Sequence, residues 1–368
     1  MVDPSLSPLS LADVSPSAAA ALGVPGFEDR LAIGPAQQVV LLLVDGLGWQ
    51  ALQRYADTAP HLTALAGAPI AAAFPTTTPV GLGTLGTGLP PGVHGLVGAA
   101  FEIPETGEVL SPLQWGSQPT PVAIQPEVTV FERVARAGVL MSTVAAGAYR
   151  DSGLTRAVLR GGEYQPAEDL QTRVEIVRSI LAREERSFTY VYWGELDRVG
   201  HEWGVGSGPW RHALESVDRL AAGLVDSLVP GTALLVTADH GMVDCPAESA
   251  VRLEDDSRLM AGVRRIAGEP RARHVYTEPG AAEDVARTWA EVLGARATVL
   301  TRHRLVEEGL LGQVDPALTE RVGDVMAIAE GSTLLASRVD PGVSALLGQH
   351  GALTPDELVI PALQMRID

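Results

Sequence analysis

With 368 residues, 46% of them hydrophobic, the chain is long enough for one large α/β domain with an inserted lobe. A formal net charge of −18 argues against binding along a nucleic-acid backbone, and no stretch approaches the roughly 20 apolar residues of a membrane span. All 27 basic side chains are arginine and Cys245 is the one cysteine, which excludes a Walker-type P-loop, a lysine Schiff base or nucleophile, an intrachain disulfide and a CxxC metal site.

Taken in chain order, residues 1–30 read as a proline-rich, partly ordered lead-in. Their start, MVDPSLSPLSLADVSPS, has neither a basic region nor an apolar core, so a cytoplasmic location is expected. Apolar runs then predict strands at 39–44, 139–146, 188–194 and 232–238, alternating with helical patterns at 127–137, 166–184 and 208–228. Strands so poor in polar residues suit a parallel sheet buried on both faces, hence a doubly wound, mostly parallel α/β core flanked by helices. The rhythm changes after residue 245. Residues 250–335 carry a predicted helix at 280–294 and a strand at 324–329 and are expected to form a smaller inserted α+β lobe. A strand near 358–364 then returns to the core, which spans 31–249 and 336–368.

Open parallel sheets gather ligands beyond the carboxyl ends of their strands. Three predicted strands end there in chargeable residues: Asp45, then Asp197 and His201 in GELDRVGH, then Asp239 and His240 in DHG. Each alone has an ordinary reading as a turn, a helix cap or a solvated pair. Together they are the ligand types that zinc or manganese takes, and His350 in LLGQHG joins them where the chain re-enters the core. Asp45 opens DGLGWQA, which imitates a dinucleotide-binding G-x-G-x-x-A turn. A carboxylate directly before those glycines would repel a pyrophosphate, so Asp45 reads better as a metal ligand. Three threonines, Thr76 to Thr78, precede Pro79 and a small-residue helix. Beside a metal cluster, a hydroxyl at that helix start is favoured as an alkoxide nucleophile.

The order Asp-Gly, F-P-T-x-T, D-x-x-x-H, D-H-G and late G-x-H-G resembles the alkaline phosphatase superfamily, and within it the nucleotide pyrophosphatase/phosphodiesterase branch. The resemblance spans roughly 39–100, 187–245 and 345–365. It implies an alkaline phosphatase-like fold with two divalent metal ions, Zn²⁺ or else Mn²⁺. One would be held by Asp45, Asp239 and His240 with the Thr78 oxygen, the other by Asp197, His201 and His350. Thr78 is the implied nucleophile, ten residues before the glycine of TGLPP. His94 matches a family position that ligates nothing and reads as structural.

Two positions depart from the pattern: Leu196 replaces a proline, and Ala99 stands where the branch has an asparagine touching a phosphate oxygen. The implied activity is hydrolysis of a phosphodiester or pyrophosphate bond in a small-molecule phosphate ester, with no nucleic-acid polymer and no membrane as partner. Alternatives are a phosphomonoesterase or a phosphonoacetate hydrolase-like enzyme with the same ligands. A sulfatase is disfavoured because DCPAES lacks the maturation motif, and a non-catalytic binding protein because no ligand is missing. The absence of arginine between Arg54 and Arg133 favours diesters over the more highly charged monoesters, unless an arginine such as Arg150 or one from 250–335 reaches the site.

Overall fold

The computed structural model describes residues 9–116, 119–183 and 185–368. In chain order, the central sheet is built from β1 (Gln38–Val44), β2 (Ala66–Ala71), β3 (Leu140–Ala145), β4 (Glu163–Pro166), β5 (Ser187–Trp193) and β6 (Thr232–Thr237). The lobe adds β7 (Val263–Glu269), β8 (Ala272–Thr277), β9 (Ala297–Thr301) and β10 (Val325–Ala329), and β11 (Val359–Ile367) closes the chain. The helices that matter for the site are α1 (Val14–Ala21), α2 (Thr78–Thr87), α3 (Leu170–Leu181), α4 (Glu195–Trp203), α5 (Gly208–Val225) and α6 (Ala282–Leu293).

The seven strands lie in the order β2-β11-β6-β1-β5-β3-β4. Strands β6, β1, β5, β3 and β4 are mutually parallel, and β11 runs antiparallel to both its neighbours. Every residue of β1 and β6 is buried, as expected of strands covered on both faces. All four strands expected in the first part of the chain form within a residue of the predicted bounds.

Strands β2 and β4 were not expected. The sequence AGAPIA is poor in strand-forming residues, and EYQP is short; both lie at the sheet's edges, where weak strand propensity is tolerated. Because Pro166 ends β4, helix α3 begins only at Leu170, with the Asp169 carboxylate accepting from Thr172 N at 2.8 Å as its cap. The expected last residue of that helix, 184, lies outside the described residues, as do residues 1–8 of the lead-in.

From Leu9 onward the lead-in is packed. Helix α1 and the turn before it place Leu11, Val14 and Ala18 in the main apolar core. The 250–335 segment contains an antiparallel sheet ordered β7-β8-β10-β9, of which only β10 was expected. Helix α6 seals it, burying Trp289 in a cluster with Leu259, Val275 and Val325.

Register explains why one end of the sheet becomes a site. Val44 pairs with Trp193 and Leu43 with Thr237, so β1, β5 and β6 end level with one another. The antiparallel β11 starts at that same end, which carries the preceding turn, with His350, to the strand ends.

Candidate metal and nucleophile site

Asp45 follows β1 directly and is 3% exposed; Asp239 and His240 follow β6 and are fully buried. Asp197 and His201 sit one helical turn apart on α4, so their side chains share a face. Gly46 explains part of the dinucleotide-like motif. It has φ +75°, and a Cβ there would come within 3.0 Å of the Asp197 side chain. The glycine thus lets the turn that carries Asp45 approach helix α4, which carries Asp197. Gly81 does the same for α2, where a Cβ would lie 2.6 Å from Asp239 Cβ.

The three candidate histidines are oriented alike. His201 Nδ1 donates to Gly348 O at 2.6 Å, His240 Nδ1 to Gly241 O at 2.9 Å and His350 Nδ1 to Thr76 O at 2.9 Å. Each Nε2 is therefore left as a lone pair turned toward the others, as outer-shell hydrogen bonds arrange in metal sites. His350 Nε2 faces His201 Nε2 at 3.3 Å, and the His240 and His350 rings stack with centroids 3.8 Å apart. Two facing lone pairs repel unless a cation lies between them. Burial, with His240 and His201 alongside, holds His350 well below the usual imidazole pKa, so protonation is a poor remedy.

The carboxylates carry the complementary signal. Asp45 Oδ1, Asp197 Oδ1 and Asp239 Oδ2 are buried and have no hydrogen-bond partner among the described residues. Burial, reinforced by Asp239 and Asp197, pushes the Asp45 carboxyl well above its ordinary pKa, although Tyr192 donates a short hydrogen bond to its other oxygen. Burial likewise raises Asp239, against the opposing effect of His240. Buried oxygens of like charge without donors fit a bound cation.

Two groups of donors are compact, with all ligand atoms within 4.8 Å: Asp197, His201 and His350, and Asp45, Asp197 and His240. The first is the second expected set. The other draws Asp197 in beside Asp45, while Asp239 Oδ2 stands 3.6 Å from His240 Nε2. Asp197 thus belongs to both groups.

Thr78 opens α2, with its Oγ1 3.2 Å from His240 Nε2, and lines a cavity of about 590 Å³ together with Asp45 and Asp197. Thr76 is otherwise engaged, donating to Ala352 O at 2.8 Å and accepting from Gly351 N at 3.0 Å. At the helix start, Val80 and Gly81 N–H donate to Thr77 O and Pro79 has none. The amide left for a ligand there is that of Thr78.

His94 is fully buried between Thr84 Oγ1 at 3.1 Å and Leu96 N at 3.2 Å, and burial lowers its pKa to about 3. It touches none of the candidate ligands in these bonds and serves α2 internally. The Ala99 N–H, which could have replaced the missing asparagine, donates instead to Glu269 Oε2 at 2.9 Å.

Several neighbours were not anticipated. Tyr149, Tyr164, Tyr192 and Arg173 line the cavity that Thr78 lines, and Glu269 meets the Ala99 amide. Arg173 stacks on Trp193 at 4.7 Å and donates to Tyr192 O and Asp169 O. The arginines lining the cavity thus come from α3 (Arg173) and α4 (Arg198). The lobe's Arg271 and Arg273 are buried in ion pairs of their own. Tyr192 sits in an all-apolar-looking strand and Glu269 in a hairpin turn, where neither spacing nor periodicity marks them.

A family model described as type I phosphodiesterase / nucleotide pyrophosphatase matches residues 39–353. Human ectonucleotide pyrophosphatase/phosphodiesterase family member 7 is 27% identical over 229 residues, covering 57% of this chain and 48% of the relative. Phosphopentomutase from Anaeromyxobacter sp. (strain K) is 29% identical over 183 residues, covering 48% of this chain and 42% of the relative. The matched stretch thus spans less than half the length of either curated relative.

Among solved structures, murine ectonucleotide pyrophosphatase/phosphodiesterase 5 has a TM-score of 0.71 at 20% identity, covering 88% of this chain and 87% of that one. Phosphonoacetate hydrolase from Sinorhizobium meliloti, in complex with phosphonoformate, has a TM-score of 0.68 at 20% identity, covering 91% and 90%. At such identity these two establish a shared fold, the helix-flanked, mostly parallel sheet expected from the sequence.

Proposed function

Because the chain belongs to the type I phosphodiesterase/nucleotide pyrophosphatase family, we propose that it is a metal-dependent hydrolase of phosphodiester or pyrophosphate bonds with Thr78 as nucleophile. The observation that carries the reading is the clustering of imidazole Nε2 atoms with buried, unpartnered carboxylate oxygens, and the Thr78 hydroxyl 3.2 Å from one of those nitrogens, His240 Nε2. Asp45, Asp239 and His240 would hold one divalent ion and Asp197, His201 and His350 the other, Zn²⁺ or else Mn²⁺. The pair would supply charge neutralisation of the phosphate and acidification of the hydroxyl.

The chain's own contributions follow from its geometry. Helix α2 fixes the Thr78 oxygen at the cavity floor, and the Thr78 amide offers a hydrogen bond to a phosphate oxygen. Attack by Oγ1 on phosphorus expels the leaving alcohol or phosphate and leaves a phosphothreonine ester, which water then cleaves. The carbonyl-anchored histidines need no reorganisation during the step. Ala99 leaves one phosphate oxygen without the family's side-chain contact, which puts more of the charge stabilisation on the ligand cluster.

No helix among the described residues is long and apolar enough to cross a membrane. The proposed substrates are small phosphate esters, and residues 250–335 are proposed to form an inserted lobe. The test is a hydrolysis panel of bis(4-nitrophenyl) phosphate, 4-nitrophenyl phosphate, a nucleotide diphosphate ester and phosphonoacetate, each with Zn²⁺ and with Mn²⁺. Diesters are expected to have the highest kcat/KM. A higher value for the aryl monoester or for phosphonoacetate would transfer the assignment to that chemistry.

A further inference from the structure

A second cavity, of about 370 Å³, adjoins the catalytic one, and Thr155, Leu159 and Tyr164 line both. The two differ sharply in charge. Four carboxylates, Asp45, Asp197, Glu168 and Glu195, and two arginines, Arg173 and Arg198, line the first cavity, whereas Arg150, Arg156 and Arg160 line its neighbour, which no carboxylate among the described residues lines. In a chain of net charge −18 that concentration of cations marks the side cavity as the local place for an anion.

The three arginines are not equivalent. Arg160 is already committed: its Nε lies 3.3 Å from Glu132, and its remaining nitrogens donate to carbonyls of Gln125, Ala157 and Glu127. Arg150 makes one long hydrogen bond, 3.4 Å, to Tyr164 O, with its guanidinium 5.6 Å from the Tyr164 ring centroid. Among the described residues, neither Arg150 nor Arg156 has a carboxylate partner. Two unspent planar forks in one cavity suit the bidentate recognition of a phosphate. Pro121, Val122 and Leu159 give the side cavity apolar lining, and Leu159 is shared with the first cavity.

We propose that this side cavity binds a second phosphate group carried by the substrate, through Arg150 and Arg156. The inference rests on the phosphate-ester reading above and narrows it. The substrate class is an ester in which an apolar or aromatic spacer links the scissile phosphate to a second one. The spacer lies along Leu159 and Tyr164, and the distal phosphate is held by the two guanidinium groups.

The test compares binding of AMP, adenosine 2′,5′-bisphosphate and adenosine 3′,5′-bisphosphate to the full chain in Zn²⁺ by calorimetry, for wild type and for R150Q/R156Q. At least one added phosphate should tighten binding by about tenfold or more, the scale of one charge-assisted hydrogen-bond pair. The double variant should lose that gain and keep its affinity for AMP. The proposal is overturned if neither added phosphate tightens binding, if the gain survives in R150Q/R156Q, or if the variant loses AMP as well. Failure of the hydrolase reading is recognised separately: the wild type would not turn over bis(4-nitrophenyl) phosphate with either metal, while the binding comparison would still decide the side cavity.

Discussion

The loop that carries His350 is held from the lobe by one buried ion pair, and removing half of it makes a quantitative prediction. Arg271 and Glu357 are both fully buried and meet in a fork, Nε to Oε1 at 3.1 Å and Nη2 to Oε2 at 2.7 Å. Glu357 also accepts from Ala352 N at 2.9 Å and Thr354 Oγ1 at 2.6 Å, fastening the turn just after His350. Arg271→Met keeps the bulk of the side chain and leaves the carboxylate buried without its cation. Breaking a buried pair in this way costs about 3–5 kcal/mol. An unfolding entropy of about 2 cal/mol/K per residue then implies, for a chain of 368 residues, a melting point lower by about 4–7 °C.

The double variant Arg271→Met/Glu357→Gln removes the stranded charge while leaving an amide oxygen for Ala352 N. It should recover most of that loss by scanning calorimetry. Metal retention is the second readout: the single variant should hold its second ion more weakly, because the His350 turn is loosened. A single variant melting within a degree of wild type, or a double variant no more stable than the single, would refute the reasoning.

Thr78→Ala should reduce turnover about 10³-fold or more while metal content measured by elemental analysis stays the same. Thr77→Ala should be much milder; the reverse order would move the nucleophile to Thr77. His350→Ala should weaken metal binding by more than the roughly 10–100-fold expected from losing an outer-shell partner alone. Unchanged stoichiometry at limiting Zn²⁺ would return His350 to a structural role. Burial raises Glu269 from 4.5 to about 8. Between those values the folded state keeps a proton that the unfolded state has released, so stability falls as pH rises through that window. Glu269→Gln should flatten this slope and be the more stable protein at pH 9, by up to a few kcal/mol. Chemical unfolding at pH 5, 7 and 9 would expose the error if the two proteins ran parallel.

The sequence was most informative where burial is two-sided. Strands β1, β5 and β6 are unbroken apolar runs, and a carboxylate or imidazole just past such a run stands out. Asp45, Asp197, His201, Asp239 and His240 were legible for that reason. His350 needed the glycines around it and the return of the chain to the core. The edge strands β2 and β4 and three strands of the lobe were not legible, because their pattern is set by partners distant in sequence. Tyr192 escaped notice because in a parallel strand a hydroxyl aimed at Asp45 looks like one more aromatic core residue. Glu269 and Arg271 owe their importance to a hairpin meeting the 350–357 turn, a tertiary event that local spacing does not record.

The placement of β11 has a consequence for how the chain must be made. The last strand does not join an edge; it fills the slot between β2 and β6. A product cut short before Val359 would therefore leave the edges of both neighbours unpaired, and β6 is buried along its whole length in the finished sheet. Such edges template association with other chains. Solubility is in this way tied to the nine residues Val359–Ile367 that cover both edges.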